Sequence, residues 1–265
     1  MIRLTANQNF EGSGLFLQNH QLRITKTLSD YIYVEQGMEI IIEEGVQARI
    51  IDLCSKTSLT IILRPYAEVE YQILSSVDTT RRFECSGHLH IIEISTDASK
   101  ERLDIHLLAE QATANVELLS LAGGFEQSFI QQIEHQAKHT ESSISNFGVV
   151  MDHANILFDT TGKIQKGMAK SKCAQLSKGI IMDDDSVITS KPILLIDEYD
   201  VVANHGASIG KMSDECLFYL MSRGLSKQEA FFLILEGIIR PFIDKIVDEE
   251  LKQKLNQRLE LLIKR

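Results

Sequence analysis

The chain has 265 residues, of which 44% are hydrophobic and 24% are charged, a composition typical of a folded, soluble protein with one large domain or two small ones. Its formal net charge of −10 argues against nucleic acid and an anionic membrane as partners, because both are bound through clustered Lys and Arg. No apolar run approaches the roughly 20 residues of a transmembrane helix, and the first residues lack the apolar core of a secretory signal. The four cysteines are scattered without a Cys-x-x-Cys pair, so we expect free thiols in the cytoplasm and no disulfide framework.

A series of short strands is predicted from residue 30 to residue 205, because runs rich in β-branched residues alternate polar and apolar positions between turn residues. Examples are the runs 38–42, 47–51, 59–63, 69–73, 89–94, 103–108, 115–119 and 129–133. No helical pattern alternates with them, which disfavours a doubly wound α/β fold. Strand–turn–strand units recur at a loose spacing, and Val46 and Ala67, for example, are 21 positions apart. This recurrence favours a β-solenoid, although a β-sandwich also has many short strands.

The pattern changes after Ser208, where the sequence predicts helices. Ser213 suits a helix N-cap because two acidic residues follow it, and Gly224 suits the position just past the end of that helix. Ser226 and Glu229 form a capping-box pattern, which opens a second, strongly apolar helix.

Pro241 is expected to start a third helix or to kink the second. An apolar stripe at steps of three and four follows it: Ile243, Val247, Leu251, Leu255, Leu259 and Leu262. We therefore predict a mainly β fold with a parallel β-helix core over residues 1–208 and a small C-terminal α-helical domain over residues 209–265. So small a helical unit has little core of its own, and we expect it to pack on the solenoid or on a partner.

The segment from His205 to Met212 has two glycines and a lysine, as phosphate loops do. It has three residues between the glycines where a phosphate loop has four, and Met212 occupies the place of the Mg²⁺-binding hydroxyl. Nucleotide binding is therefore disfavoured. No Gly-x-Ser-x-Gly motif indicates a serine nucleophile. A solenoid hydrolase or lyase that uses the carboxylates of residues 183–185, which are Asp183, Asp184 and Asp185, is a distant alternative.

Two histidine pairs are candidate metal ligands. His88 and His90 are two apart on a predicted strand and therefore face the same way. His135 and His139 are four apart and would also share a face if one strand covered residues 129–139. Imidazole pairs bind transition metals, but on strands they also serve as surface or cross-strand packing groups.

A carboxylate-rich turn precedes His205, because Asp197, Glu198 and Asp200 cluster just before it. Such a turn suits a metal site, and a solvated turn with a hydrogen-bonded histidine is the alternative. Each of the four cysteines has its own simpler interpretation as a small, buried apolar side chain.

The stretch from residue 169 to residue 242 resembles the C-terminal core of the SufB/SufD iron–sulfur cluster assembly proteins. The motif His-Gly-Ala-x-x-Gly with Phe-Tyr-Leu-x-Ser-Arg-Gly about ten residues later is specific. The residues that carry the resemblance are Ser190-Lys191-Pro192, Leu195-Ile196-Asp197, Asp200-Val201, His205-Gly206-Ala207-Ser208-Ile209-Gly210, Leu217-Phe218-Tyr219-Leu220, Ser222-Arg223-Gly224-Leu225, Glu229-Ala230 and Glu236-Gly237. With weaker matches upstream, it covers residues 125–243.

This resemblance implies a right-handed parallel β-helix followed by a C-terminal helical domain. It also implies that two β-helices pair and that the helical domain docks an ABC-type ATPase, SufC. A nascent iron–sulfur cluster would then form at the paired interface with the help of a cysteine and a histidine, and His205 matches the family's functional histidine.

The chain departs from the family pattern at the cysteines. Ala203 stands where SufD-type sequences carry a cysteine two residues before the histidine. The cysteine position of SufB-type sequences falls near Ser177, and Cys173, four residues earlier, is the candidate thiolate for a cluster. The family's N-terminal helical extension is also missing, so we expect a shortened member that forms a homodimer.

Two hypotheses follow. In the first, the protein is a non-enzymatic scaffold or scaffold subunit of the SUF system that handles a transient iron–sulfur cluster. Its cluster ligands would be His205 and Cys173, with His135 and His139 as further metal candidates. Its partners would be a SufC-like ATPase, a second copy or a SufB/SufD-like paralogue, and a sulfur donor protein. In the second, it is a structural SufD-like subunit that docks the ATPase and binds no cluster.

Overall fold

The computed structural model of the protein describes residues 2–6, 9–74 and 77–263. In these ranges nineteen strands precede three helices, so the mainly β prediction is confirmed. The strands are β1 (Ile2–Leu4), β2 (Phe10–Gly12), β3 (Leu15–Gln18), β4 (Gln21–Ile24), β5 (Ile32–Val34), β6 (Glu39–Ile42), β7 (Gln47–Asp52), β8 (Ser58–Leu63), β9 (Glu68–Ile73), β10 (Thr80–Cys85), β11 (His88–Ser95), β12 (Ser99–Leu107), β13 (Thr113–Gly123), β14 (Glu126–His135), β15 (Glu141–Met151), β16 (Asn155–Ile164), β17 (Lys172–Ile181), β18 (Val187–Ile196) and β19 (Val202–Lys211). The strands begin at Ile2 instead of residue 30, and the last one extends to Lys211.

The strands form two sheets. Sheet A has the order β1-β5-β7-β9-β11-β13-β15-β17-β19, and sheet B has the order β18-β16-β14-β12-β10-β8-β6-β4-β3-β2. From β4 onward successive strands alternate between the sheets and all their pairings are parallel, whereas β2, β3 and β4 pair antiparallel. From β4 to β19 each strand thus pairs with the strand two elements further along the chain or two elements before it, apart from the pairs β3–β4 and β1–β5. Register partners such as Ala48 and Val69 are 21 positions apart, which accounts for the spacing seen in the sequence.

The core lies between the sheets and is built from aligned side chains of successive strands. In sheet A, for example, Ile50, Tyr71, Ile91, Val116 and Ile144 are consecutive register partners, and all are buried. Burial of each such side chain stabilises the fold by about 1.5–3 kcal/mol. The alternating sequence pattern that predicted the strands therefore also identifies this core.

Strands β18 and β19 are the last strands of their sheets at one end of the molecule. Within the described residues no further strand pairs with their outer edges. Unpaired N–H and C=O groups at such edges can pair with another chain. This end carries His205.

Three helices follow: α1 (Asp214–Ser222), α2 (Lys227–Ile243) and α3 (Glu249–Ile263). The predicted caps are confirmed. The Ser213 hydroxyl accepts the N–H of Cys216, and Gly224 has a φ of 98° just past the end of α1. Ser226 and Glu229 form the reciprocal capping box at the start of α2.

Of the two expectations for Pro241, the start of a third helix at this residue is wrong. Pro241 lies inside α2, near its end, and does not begin a helix. The third helix starts at Glu249, and Val247 lies in the connector before it and is exposed. The apolar stripe therefore spans a helix end, a connector and a second helix, because a step of three or four residues does not by itself exclude a break. The side chains of Leu259 and Leu262 lie outside the described part of the chain.

The helices pack on the outer face of sheet A. Apolar side chains of α2, α3 and their connector form one buried cluster with strands β11, β13 and β15: Leu235, Ile239, Ile243, Ile246 and Leu255 with Ile94, Leu119, Leu121, Val149 and Met151. The Tyr33 hydroxyl donates to Asp248, and Gln72 Nε2 donates to the Lys245 carbonyl at 3.1 Å. None of the described helices combines the length and the hydrophobicity that crossing a membrane requires.

Candidate functional site

His205 lies in the middle of edge strand β19, not at the end of the last strand as expected. Its register partner on β17 is Gln175, which is buried and points into the core. Register partners on parallel strands project to the same side of a sheet, so the His205 side chain belongs to the inner face. It is nevertheless exposed, because β19 is the last strand of sheet A.

Cys173 is the direct register partner of Ala203, the position where SufD-type sequences carry a cysteine. It is only 2% exposed and lies on the same inner face as Gln175. Neighbouring strands are about 4.8 Å apart and alternate residues about 6.6 Å apart along a strand, so the Cα atoms of Cys173 and His205 are on the order of 8 Å apart. The structure thus brings together a thiol and an imidazole that are 32 positions apart in the chain.

The surroundings of Cys173 are tight. A Cβ atom at Gly162, on β16, would lie 2.4 Å from the Cys173 sulfur and 3.0 Å from Gln175 Nε2, so only glycine fits there without movement. Burial raises the pKa of the Cys173 thiol above its ordinary value, and a hydrogen bond with Ser142 opposes this effect. The thiol is therefore protonated at neutral pH in the isolated chain.

His135 closes strand β14 and is fully buried. Its Nδ1 atom lies 2.7 Å from Thr140 Oγ1, and its Nε2 atom lies 2.8 Å from Ser142 Oγ. Burial lowers the pKa of His135 to about 4, so the imidazole is neutral at physiological pH. Because Ser142 also contacts Cys173, one hydroxyl links the two predicted site residues. The sequence analysis missed Ser142. It lies 31 residues before Cys173, and this separation is the one that relates all register partners of β15 and β17.

His139 does not share a face with His135, because the strand ends at His135. His139 lies in the following turn with a φ of 55°, and its exposed ring is 3.7 Å from Glu110. One strand does not cover residues 129–139, so the condition under which the two imidazoles would share a face is not met. The turn at residues 136–140 reverses the chain toward sheet A and separates the two imidazoles.

The carboxylates before His205 serve the turn itself. Glu198 accepts the N–H groups of Gly167 and Tyr199, both at 2.8 Å, and these bonds lower its pKa. Asp200 forms an ion pair with Lys170 at 2.9 Å, and among the described contacts it makes no hydrogen bond to His205. These contacts of Glu198 and Asp200 stabilise the turn, and a metal site at this turn stays a prediction.

The three consecutive aspartates of the hydrolase alternative also have structural partners. Asp183 accepts hydrogen bonds from the N–H of Asp152 at 2.7 Å and from the N–H and hydroxyl of Ser186 at 2.7 Å and 2.9 Å. Asp184 pairs with Lys211, and Asp185 with the ring of His153. These contacts close the turn between β17 and β18.

His88 and His90 face the same side of β11, as predicted, and both make cross-strand contacts. His88 Nδ1 lies 3.0 Å from Thr113 Oγ1, and His90 Nε2 lies 2.8 Å from Glu117. Among the residues that the structure describes, no three His, Cys, Asp or Glu side chains converge as metal ligands.

Helices α1 and α2 display apolar side chains to solvent. Phe218 is 74% exposed and Tyr219 58% exposed, and Met221 on α1 and Leu233 on α2 are exposed as well. The Arg223 guanidinium lies 5.3 Å from the Tyr219 ring centroid, within range of a cation–π contact. The side chains of Phe218, Tyr219, Met221 and Leu233 are called the α1–α2 patch below. Exposed apolar groups of this kind mark interaction surfaces.

Comparison with known families decides the classification. The family model described as "SUF system FeS cluster assembly, SufBD core domain" matches residues 31–238, well over half of the chain. The protein belongs to the SufBD family. The match extends about 95 residues upstream of the resemblance found in the sequence, and it includes both Cys173 and His205.

Several SufBD proteins are similar to the chain. The iron–sulfur cluster assembly protein SufD of Bacillus subtilis is 37% identical over 138 residues, which are 52% of this chain and 32% of that protein. A SufBD family iron–sulfur cluster assembly protein of Mycobacterium leprae is 27% identical over 243 residues, 87% of this chain and 28% of that protein. SufD of Escherichia coli is 28% identical over 127 residues, 48% of this chain and 30% of that protein. The chain thus matches about a third of the length of these relatives.

Proposed function

We propose that this SufBD-family protein is a scaffold component of iron–sulfur cluster assembly in the cytoplasm, and that it handles the nascent cluster, its cargo, at edge strand β19. The observation that carries the proposal is the placement of Cys173 directly beside Ala203. The thiol that the chain lacks at residue 203 is supplied from the neighbouring strand, on the face that carries His205. In this role the protein is a scaffold and not an enzyme.

The architecture supports a right-handed parallel β-helix, because successive strands alternate between two parallel sheets. A solenoid of this kind leaves β18 and β19 as open edges at one end. A two-fold pairing of those edges would bring two copies of His205 together, because an isologous interface uses the same patch twice. A homodimer, or a complex with a SufB/SufD-like paralogue, would thereby supply further ligands. The α1–α2 patch would dock a SufC-like ATPase, and a sulfur donor protein would deliver sulfur.

The chemistry requires Cys173 to lose its proton. Thiolate, not thiol, binds iron, and metal binding releases the proton when the ligand is loaded. His135 shares Ser142 with Cys173, but burial lowers its pKa to about 4 and makes it too weak a base to hold that proton, so the proton must leave when the metal binds. Neutral imidazole at His205 is itself a competent iron ligand.

Anaerobic reconstitution with iron and sulfide tests the proposal. His205→Ala and Cys173→Ala should each keep the oligomeric state of the parent and lose most of the bound iron and the cluster absorbance. His153→Ala and Cys216→Ser are matched controls, because both residues are exposed and lie outside the site. They should bind iron as the parent does. If His205→Ala retains the parent's iron content, the scaffold proposal is wrong.

A second function is favoured by one specific observation. Cys173 is buried with a raised pKa, so the isolated chain presents no free thiolate at the edge. A structural SufD-like subunit, which docks the ATPase and leaves cluster ligation to its partner, would need none. In the reconstitution experiment this alternative predicts no cluster in the parent protein.

A further inference from the structure

The interior of the two sheets contains a cluster of charged side chains around Arg81. This guanidinium, on β10, is fully buried. Its Nε atom donates to Asp52 at 2.7 Å, and its Nη1 atom donates to Glu101 at 2.8 Å and to the Thr79 hydroxyl at 2.8 Å. One buried positive charge thus faces carboxylates from two other strands, β7 and β12.

A third carboxyl group completes the cluster. Glu93, on β11, is 1% exposed and hydrogen-bonds with the Glu101 side chain. It shares an inner column of sheet A with Asp52, because Ile73 is the register partner of both. Among the described residues, one oxygen of Glu93 and one of Glu101 have no hydrogen-bond partner, so no further described donor contacts these two atoms.

Two further groups of the described chain donate hydrogen bonds to Asp52. The Tyr71 hydroxyl and the Cys54 amide donate to Asp52, both at 2.7 Å. Burial raises the pKa of Tyr71 and of the Cys54 thiol well above their ordinary values, so neither adds a charge at neutral pH. Within the described part of the chain three buried carboxyl groups therefore face one buried cation, Arg81, and full ionisation would leave an excess of two negative charges in this cluster.

Ionised carboxylates only accept hydrogen bonds, so the contact between Glu93 and Glu101 requires a proton. We propose that Glu93 holds a proton in the folded protein and donates it to Glu101, so that the interior contains a proton-binding site that forms on folding. Asp52 and Glu101 are then the two ionised partners of Arg81. Desolvation and the charge of Glu101 both act in this direction, because they raise the pKa of Glu93 well above its ordinary value.

Folding is consequently coupled to uptake of one proton. In the unfolded chain Glu93 titrates near its ordinary pKa of about 4.3. Between that value and the raised value of the folded state, the folded protein holds one proton more than the unfolded chain. Stability is therefore lost as the pH rises through this window, and the unfolding equilibrium constant increases about tenfold per pH unit from this site.

Glu93→Gln tests the proposal, since the glutamine amide has nearly the same shape and can donate to Glu101 without titrating. Denaturant unfolding is measured upward from about pH 5, just above the ordinary pKa of a glutamate. In the window where only the folded parent holds this proton, the unfolding equilibrium constant of the variant should rise with pH less steeply than that of the parent. The difference should be about tenfold per pH unit, which corresponds to one proton. Glu126→Gln, at an exposed glutamate, is the matched control and should keep the parent's pH dependence. An unchanged slope in Glu93→Gln would overturn the proposal.

Infrared difference spectroscopy of the parent gives a second readout that does not depend on the variant's folding. At neutral pH in D₂O, the folded parent should show the carbonyl stretch of a protonated carboxylic acid. This band should disappear on unfolding in denaturant, and it should be missing from folded Glu93→Gln. A folded parent without the band would show that Glu93 is ionised.

Discussion

At the scale of single residues, Gly162 shapes the site because glycine has no side chain. Strand β16 must approach the inner face of β17 closely, and Gly162 leaves the space that the Cys173 sulfur fills. Ser142, the register partner of Cys173 on β15, contacts both Cys173 and His135. The position and burial of the thiol therefore depend on a residue of the opposite sheet.

We predict that Gly162→Ala destabilises the protein by about 1–3 kcal/mol, because the added methyl group overpacks the core against Cys173. The double variant Gly162→Ala with Cys173→Ala should recover part of this loss, since the sulfur is then missing. Denaturant unfolding of the four proteins of this cycle measures the coupling. Gly210→Ala is the control, because a Cβ there meets no atom within 4 Å. Additive effects of the two substitutions would contradict the packing explanation.

At the scale of elements, α1 and α2 combine strong caps with exposed apolar side chains. The caps at Ser213 and Ser226 satisfy backbone N–H groups at both helix starts, so these helices do not need a partner to define their ends. The exposed apolar side chains of these helices, in contrast, are not accounted for by contacts within the described chain. The cluster beneath the helices is filled by other residues of α2, α3 and sheet A.

We predict that replacing Phe218 and Tyr219 together with alanine abolishes co-purification with a SufC-like ATPase. Aromatic side chains that are buried on binding usually dominate an interface, and these two are the most exposed aromatics of the helices. Val247→Ala is the control, because Val247 is also exposed but lies in the connector between α2 and α3. If the double variant still co-purifies with the ATPase, the docking surface lies elsewhere.

At the scale of the whole molecule, the two ends differ. At one end the antiparallel strands β2 and β3 follow β4 in sheet B, whereas at the other end β18 and β19 are parallel edge strands with exposed apolar side chains. Leu195 on β18 is 50% exposed and Val202 on β19 is 58% exposed. Open edges with apolar groups favour association with another chain.

We predict that Leu195→Lys combined with Val202→Lys converts the proposed homodimer into a monomer, because a charge at an open strand edge opposes pairing with another strand. Sedimentation equilibrium or light scattering measures the mass. Val247→Lys adds a charge at a comparably exposed apolar residue away from both edges and should leave the dimer intact. A double variant that stays dimeric would place the interface on another surface.

The sequence by itself determined the type of most elements. Period-two alternation marked the strands, because each strand has one face in the core, and Ser213 and Ser226 marked the helix starts through their local hydrogen bonds. The motif around His205 indicated the family. These signals are local, since they involve residues within a few positions of one another.

Only the tertiary structure decided which strands pair and what their register brings together. Cys173 lies beside Ala203 because β17 pairs with β19. Arg81 contacts Asp52 and Glu101 because the three strands that carry these residues direct their side chains into the same interior. Alternation is the same for every register shifted by two residues, so it cannot specify such contacts. The break before Glu249 was hidden for a related reason, because an apolar stripe continues whether the residues between helices are helical or not. Long-range packing, which selects one register and one helix boundary, supplies that information.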